Sequence, residues 1–412
     1  MVTKNKTTYN LLDAAHAACS HTINIMAALT SDGNITSFQR KGRNRIPYIQ
    51  GTRQSVQNAQ ILVSSGVPSL DHVVGNGLPV GSILLIEEDT FGTFSKFILK
   101  YFLAEGVACD HPLFLASRDF LPSTFIKQIP VPIKGDSSAS GQDSKSDDPM
   151  TIAWRYQNMR QVQSIPGSSN SGTHLGHNFD LTQFILPEDL ENCDYTLWSE
   201  PEENDTPLGN FCNPNYGLLL SKIQKKIAEG QFRVQDEPIK QSILRLAIHS
   251  LGSPMWVGCS CDESLDEGVK RDLPKFLLYL RAILRESYAL AVITVPSHLF
   301  RDNSIIKLCE YQSDMALRLE SFAGSSYETN PVFKEYHGLL HIRKLGPVNT
   351  LATHVPESLD LAFKLRRKKF VIEKLHLPPE LQESAQREQD DISTEKRSGM
   401  GCSSSPSSKL DF

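Results

Sequence analysis

Short apolar runs alternate with longer amphipathic stretches through the middle of this chain, and that alternation sets the first expectation. Ile83–Ile86, Leu113–Ala116, Ile243–Ile248, Leu290–Val295, Met315–Glu320 and Leu339–Lys344 are rich in aliphatic side chains and read as strands. Phe94–Glu105, Tyr216–Glu229 and Leu273–Ser287 repeat apolar residues at helical spacing. Strands separated by helices predict an α/β fold of three layers, with a mainly parallel central sheet covered on both faces. The last two strands, within SDMALRLESF and GLLHIRKLG, are joined by a segment bearing Gly, Pro and Asn, so an antiparallel edge hairpin is expected there.

Polar stretches mark the limits of that pattern. Residues 1–50 and 381–412 lack the apolar content to offset the entropy of ordering, and are expected to be a flexible N-terminal tail and a disordered C-terminal tail around one domain at 51–380. Within the domain, about 135–149 and 164–176 are Ser- and Gly-rich and read as disordered loops. Between them TIAWRYQNM has strand character, for the core or for a neighbour.

Composition narrows the class. With 412 residues, 40% hydrophobic and 22% charged, the chain can bury a large core. A formal net charge of −5 argues against holding nucleic acid by global charge, which leaves only local basic patches. The eight cysteines form no C-x-x-C pair, so reduced thiols are expected. No run approaches the roughly 18 apolar residues of a membrane span, and no membrane association is expected.

The candidate chemistry lies in VVGNGLPVGSILLIEEDTFGTFSKFILKYF, a Gly-rich turn, a strand, a short loop and a helix. A phosphate loop of the form G-x-x-x-x-G-K-[ST] uses glycines to turn backbone N–H groups on phosphates, a lysine to neutralise charge and a hydroxyl to hold magnesium. Here Glu88 and Thr93 replace the glycines, Phe94 replaces the lysine, and only Ser95 survives. Glu87, Glu88 and Asp89 add negative charge that repels phosphate by several kcal/mol. The loop is expected to be a plain strand-to-helix turn, with acids favourably placed at the helix N-terminus and Phe94 packed inward. At the strand end of ILRLAIHSLGSP, where such folds carry a magnesium-holding Asp, stands His249, expected to be a hydrogen-bonded structural residue.

Other clusters are weaker. His174 with His177, and His337 with His341, have spacings a metal uses but no adjacent acidic cluster, and no metal site is expected. Nothing in the sequence has the form of a nucleophile elbow. Lys364–Lys369 is basic at five of six positions; it reads as a solvated face, with RNA phosphate as the sharper alternative at Arg366, Arg367 and Lys368. Arg301 and Lys307 carry the same pair of readings.

Gly66-Val-Pro-Ser-Leu-Asp71 and Gly75-Asn-Gly-Leu-Pro-Val-Gly81 resemble the entrance to RecA/KaiC-type domains. Together with IAWRY, LGSPMW, ESFAG, YHGLLHIRKL, LAFKLRRKKFVIEKLHLPPEL and the terminal Leu-Asp-Phe, the chain resembles the PAXNEB family of Elongator subunits. The resemblance implies a RecA-like, non-catalytic subunit in a heterohexameric ring with Elongator subunits five and six. It further implies docking on the catalytic subcomplex, tRNA binding in support of C5 modification of the wobble uridine, and residence in cytoplasm and nucleus. No cofactor is expected on the chain alone, with ATP at ring interfaces. In KaiC-like members a Lys-x-Arg reaches a neighbour's phosphates; the nearest positions here are Arg343 and Lys344. The competing expectations are a self-sufficient RecA/KaiC-like ATPase and a purely structural adaptor.

Overall fold

The computed structural model describes residues 49–55, 60–133, 175–200, 206–236, 242–257, 263–348 and 353–376. TIAWRYQNM, His174, both proposed tails almost entirely and the proposed loops up to residue 174 lie outside these residues.

A small antiparallel sheet, β1 (Thr52–Gln54), β2 (Ile61–Val63) and β3 (Leu78–Pro79), leads into the domain. Helix α1 (Pro68–Val74) closes on Gly75, whose φ of 105° suits a residue without Cβ. The large sheet contains β4 (Ile83–Glu87), β5 (Leu113–Ala116), β8 (Tyr195–Trp198), β9 (Leu244–Ile248), β10 (Ala289–Val295), β11 (Met315–Ser321), β12 (Gly338–Leu345), β13 (Leu361–Leu365) and β14 (Phe370–Lys374). Strands β6 (Pro130–Pro132) and β7 (Phe179–Phe184) pair separately. The nine-stranded order is β14-β13-β12-β11-β4-β10-β9-β5-β8. From β11 to β8 all pairings are parallel; from β11 outward to β14 they are antiparallel.

Side-chain alternation divides the core between the two faces of the sheet. Leu84, Ile86, Leu113, Leu115, Leu290 and Val292 pack toward α1 and α2 (Phe94–Ala108). Ile83, Leu85, Phe114, Leu246, Ile248 and Ile293 pack in a second cluster with α5 (Pro214–Glu229), α7 (Glu263–Arg285) and α8 (Asn303–Gln312). The shorter helices are α3 (Pro122–Ile126), α4 (Pro187–Glu191), α6 (Pro254–Val257) and α9 (Ser326–Thr329). This is the three-layer α/β architecture expected.

One expectation is corrected. The β11–β12 pair is antiparallel but does not form the sheet edge, because β13 and β14 extend the sheet beyond it. The basic run Lys364–Lys369 is therefore not a uniform solvated face. Lys364 is buried on β13 and paired with Glu373, while Arg366–Lys369 form a turn closed by reciprocal backbone hydrogen bonds between Arg366 and Lys369. No helix among the described residues is long and apolar enough to cross a membrane.

Candidate functional site

The connection leaving β4 runs toward β5 on one side and that leaving β10 runs past β4 to β11 on the other, so the carboxyl ends of β4 and β10 flank a topological switch point, the usual ligand crevice of such folds. Three consecutive carboxylates occupy this place. Asp89 is buried, and its carboxylate accepts hydrogen bonds from the backbone N–H of Thr93 at 3.0 Å, Phe94 at 3.0 Å and Ser95 at 3.3 Å. These are the free donors of the first turn of α2, which a phosphate would otherwise take. The loop supplies its own anion.

Glu88 turns the other way, toward β10 and β9. Thr294 donates to Glu88 Oε1 at 2.5 Å and Ser250 to Oε2 at 3.3 Å. Burial is the main cause that pushes this carboxyl up to about 7, opposed by the Thr294 hydrogen bond. His249 Nε2 lies 3.9 Å from Glu88 Oε1, but burial holds the imidazole down to about 3, so it is neutral. Its Nδ1 meets the Ser117 hydroxyl at 3.3 Å and its ring lies 4.5 Å from Phe120. Only one of its ring nitrogens is hydrogen-bonded: Nε2 is buried without a hydrogen-bond partner among the described residues.

Phe94, at the lysine position, points inward as expected. Its ring lies 4.7 Å from Phe363 and 6.4 Å from Phe370, so it fastens the β13–β14 hairpin to α2. Ser95 is fully buried, with its hydroxyl lacking a hydrogen-bond partner and its N–H on Asp89. Neither residue offers a lysine ammonium or an accessible hydroxyl to a nucleotide.

Glu87 faces a crevice of about 370 Å³ lined in part by Ser297, His298, Phe300, Lys307, Glu310, Arg318 and Arg343. Of the residues expected to contact nucleotide or tRNA, this brings together Lys307 and Arg343. Arg343 Nε stands 3.8 Å from Glu87 and 3.9 Å from Glu310. Lys344 is committed elsewhere: its ammonium donates to the carbonyls of Glu310, Tyr311 and Ser313 at 3.2, 2.7 and 2.6 Å, capping the end of α8. Arg301 is exposed before α8, and Arg366, Arg367 and Lys368 sit on the distant β13–β14 turn.

A second polar centre was invisible to sequence reasoning. Arg245, on β9, is fully buried and donates to His111 Nδ1 at 3.1 Å and to the carbonyls of Ser64 and Phe102 at 2.9 and 3.2 Å. Glu105 accepts from the backbone and ring of His177 at 2.9 and 3.1 Å and from the Cys109 thiol at 3.3 Å. Glu105, Cys109 and His177 offer ligand atoms within 4.8 Å of one another. Burial pushes the Cys109 thiol up to about 12, and the Arg245 guanidinium already supplies positive charge to Glu105. A protonated thiol beside a fixed cation is a charge-balanced core, poorly suited to a metal. The signal was a single Arg inside an apolar strand.

The sequence model of the PAXNEB protein family matches residues 45–412. The chain is 43% identical to Elongator complex protein 4 of Danio rerio, covering 88% of this chain and 93% of that protein. It is 39% identical to Elongator complex protein 4 of Homo sapiens, covering 93% and 96%. A KaiC-like protein from Pyrococcus horikoshii aligns in structure with a TM-score of 0.41 at 15% identity, covering 76% of this chain and 99% of that one. By sequence over nearly its whole length, this chain belongs to the PAXNEB family.

Proposed function

We propose that this chain is a RecA-like subunit of Elongator that does not hydrolyse nucleotide by its own phosphate loop. The observation that carries the catalytic half is Asp89, whose carboxylate takes the three backbone donors at the head of α2. A nucleotide phosphate there must displace a covalently tethered anion and then lie beside Glu88, with Phe94 unable to replace the lost lysine. Kinship with the Elongator complex protein 4 relatives supports the complex.

Assembly with Elongator subunits five and six as a heterohexameric ring is the partner reading. It draws support from four exposed apolar side chains that follow four adjacent parallel strands: Phe91 after β4, Leu299 after β10, Met255 after β9 and Leu121 after β5. An apolar rim along one sheet end suits protein contact. The ring is proposed to dock on the catalytic subcomplex and to bind tRNA in support of wobble uridine C5 modification, with ATP at interfaces between subunits and residence in cytoplasm and nucleus. One domain over about 51–380 carries these contacts. Arg301, Lys307 and the Arg366–Lys368 turn are the proposed tRNA contacts, and Arg343 or Lys344 is proposed to act in trans, with Arg343 preferred because the Lys344 ammonium is held by the α8 carbonyls.

Co-expression with subunits five and six, followed by native mass spectrometry, ATPase and tRNA-binding assays, tests the proposal. A stable hexamer, tRNA binding and negligible turnover by the isolated chain are expected. Strong Mg-ATP turnover by the purified chain, or a monomer indifferent to both partners, overturns it. Unchanged ring ATPase in an Arg343→Ala, Lys344→Ala double variant removes the trans role.

A further inference from the structure

The crevice beyond Glu87 has a polarity that the proposed function does not use. Its floor is acidic. Glu87 keeps only 3% of its surface exposed, yet Oε1 has no hydrogen-bond partner among the described residues, and the residue lines the opening. Burial, and after it the neighbouring Glu310 carboxyl, push Glu87 up to about 7 against the Ser297 hydroxyl and Arg318, which pull it down. Toward solvent the lining charges are Lys307, Arg318 and Arg343, all exposed, while Glu310 and Glu320 on the walls are half-buried.

Strand register produces this arrangement. Glu87 on β4 pairs with Arg318 on β11, and His341 on β12 pairs with Arg318 in turn. Between Ala316↔Lys344 and Leu317↔Ile342 the pairing slips, which leaves Arg343 as the extra residue of a bulge. Bulges re-aim side chains beside binding sites. This one sends Arg343 back over the crevice, 3.8 Å from Glu87. Phe300 and His298 supply ring surfaces on the wall.

We propose that this crevice binds a nucleotide with the base inward and the phosphate outward, its base amino group donating to Glu87 and its phosphate meeting Arg343, Arg318 and Lys307. The inward group is a donor, because Glu87 Oε1 is the unpartnered acceptor; the outward group is an anion, because the exposed lining charges are Lys307, Arg318 and Arg343, while half-buried Glu310 and Glu320 pair with Arg343 and His341. A volume of about 370 Å³ lies within the range of small-ligand sites. The polarity is opposite to that of a phosphate loop, and the α2 donors filled by Asp89 take no part. Cytidine and uridine nucleotides match in size and phosphate but differ at ring position 4, where cytosine carries an amino donor and uracil a carbonyl acceptor.

The test is calorimetric titration of the full chain, or of its complex with partners, with cytidine monophosphate, uridine monophosphate and inorganic phosphate. Cytidine monophosphate is expected to bind about tenfold more tightly than the uridine nucleotide. Glu87→Ala abolishes that difference, whereas Arg343→Ala weakens both nucleotides alike. Lys307→Ala, at an exposed position, weakens both without touching the core and keeps the test open should Glu87→Ala fail to fold. Equal affinities for the two nucleotides, phosphate binding as tight as cytidine monophosphate, or discrimination surviving Glu87→Ala each overturn the proposal. Short oligocytidylate binding at least as tightly as the mononucleotide assigns the site to single-stranded RNA; oligocytidylate excluded while the mononucleotide binds assigns it to free nucleotide.

Discussion

Two sides of one strand end treat negative charge in opposite ways. On the α2 side, Asp89 faces three backbone donors and is satisfied by them. On the α8 side, two residues earlier in the chain, Glu87 ends in a buried oxygen that has no hydrogen-bond partner among the described residues and only Arg343 at 3.8 Å for a cation. The acidic tripeptide is therefore not one feature. An anion at a helix N-terminus closes a binding site, whereas an anion facing a crevice opens one. Glu88 stands between, held by the hydroxyls of Thr294 and Ser250 and lacking a cationic partner.

The sharpest attempt to break this contrast restores the missing lysine. Phe94→Lys removes the ring that packs on Phe363 and Phe370 and places an ammonium among them; we expect a loss of about 4 kcal/mol in urea denaturation and no ATP turnover. A variant as stable as the parent that hydrolyses ATP would show that the loop lacked only its lysine. Glu88→Gln tests the middle residue through pH. The folded carboxyl sits at about 7, above its usual 4.5, so the folded state holds the proton more tightly and stability is lost as pH rises between those values. The variant should thus gain on the parent from pH 4.5 to pH 8 by up to about 3 kcal/mol, read from denaturant melts at each pH. Buried His111 and His249, both held down to about 3, lose stability as pH falls below about 6.5. Taking the difference between variant and parent removes that opposite slope.

Smaller effects refine the α2 side. Asp89→Ala should cost about 2 kcal/mol and make thermal stability respond to added sulfate, because the head of α2 regains free donors. The parent should show no such response, and a variant equally indifferent to sulfate would mean that Asp89 does not fill the anion position. Lys344→Ala should cost about 1 kcal/mol by uncapping α8, as measured by the thermal midpoint.

Much of the sheet could be read in the sequence because its parallel strands are buried on both faces and so appear as apolar runs. Leu113–Ala116 matches residue for residue, and Ile83–Ile86 falls one residue short. The hairpin Leu361–Lys374 escaped because its turn is Arg366-Arg367-Lys368-Lys369, with no Gly, Pro or Asn, and its charges masked the strands on either side. For the same reason the inward turn of Phe94 was legible but its partners were not. Helix α7 begins at Glu263, well before the apolar repeat that predicts it from Leu273. The reading of Glu88, Thr93, Phe94 and His249 as altered phosphate-loop and magnesium positions is an expectation from spacing; that Asp89 folds back over Thr93–Ser95 is a matter of loop conformation, which spacing alone does not convey. Arg245 and Glu105 are far apart in sequence, and only the pairing of β9 beside α2 makes them one network.

The outermost strand has a consequence for how this molecule avoids unwanted company. The backbone N–H of Phe370 donates to the Tyr101 hydroxyl at 2.9 Å, and that of Ile372 to the Ser69 hydroxyl at 3.0 Å. These amides face away from β13, where a foreign strand would otherwise dock. Side chains from α2 and α1 thus zip the margin shut, so polymerisation by strand addition is blocked there.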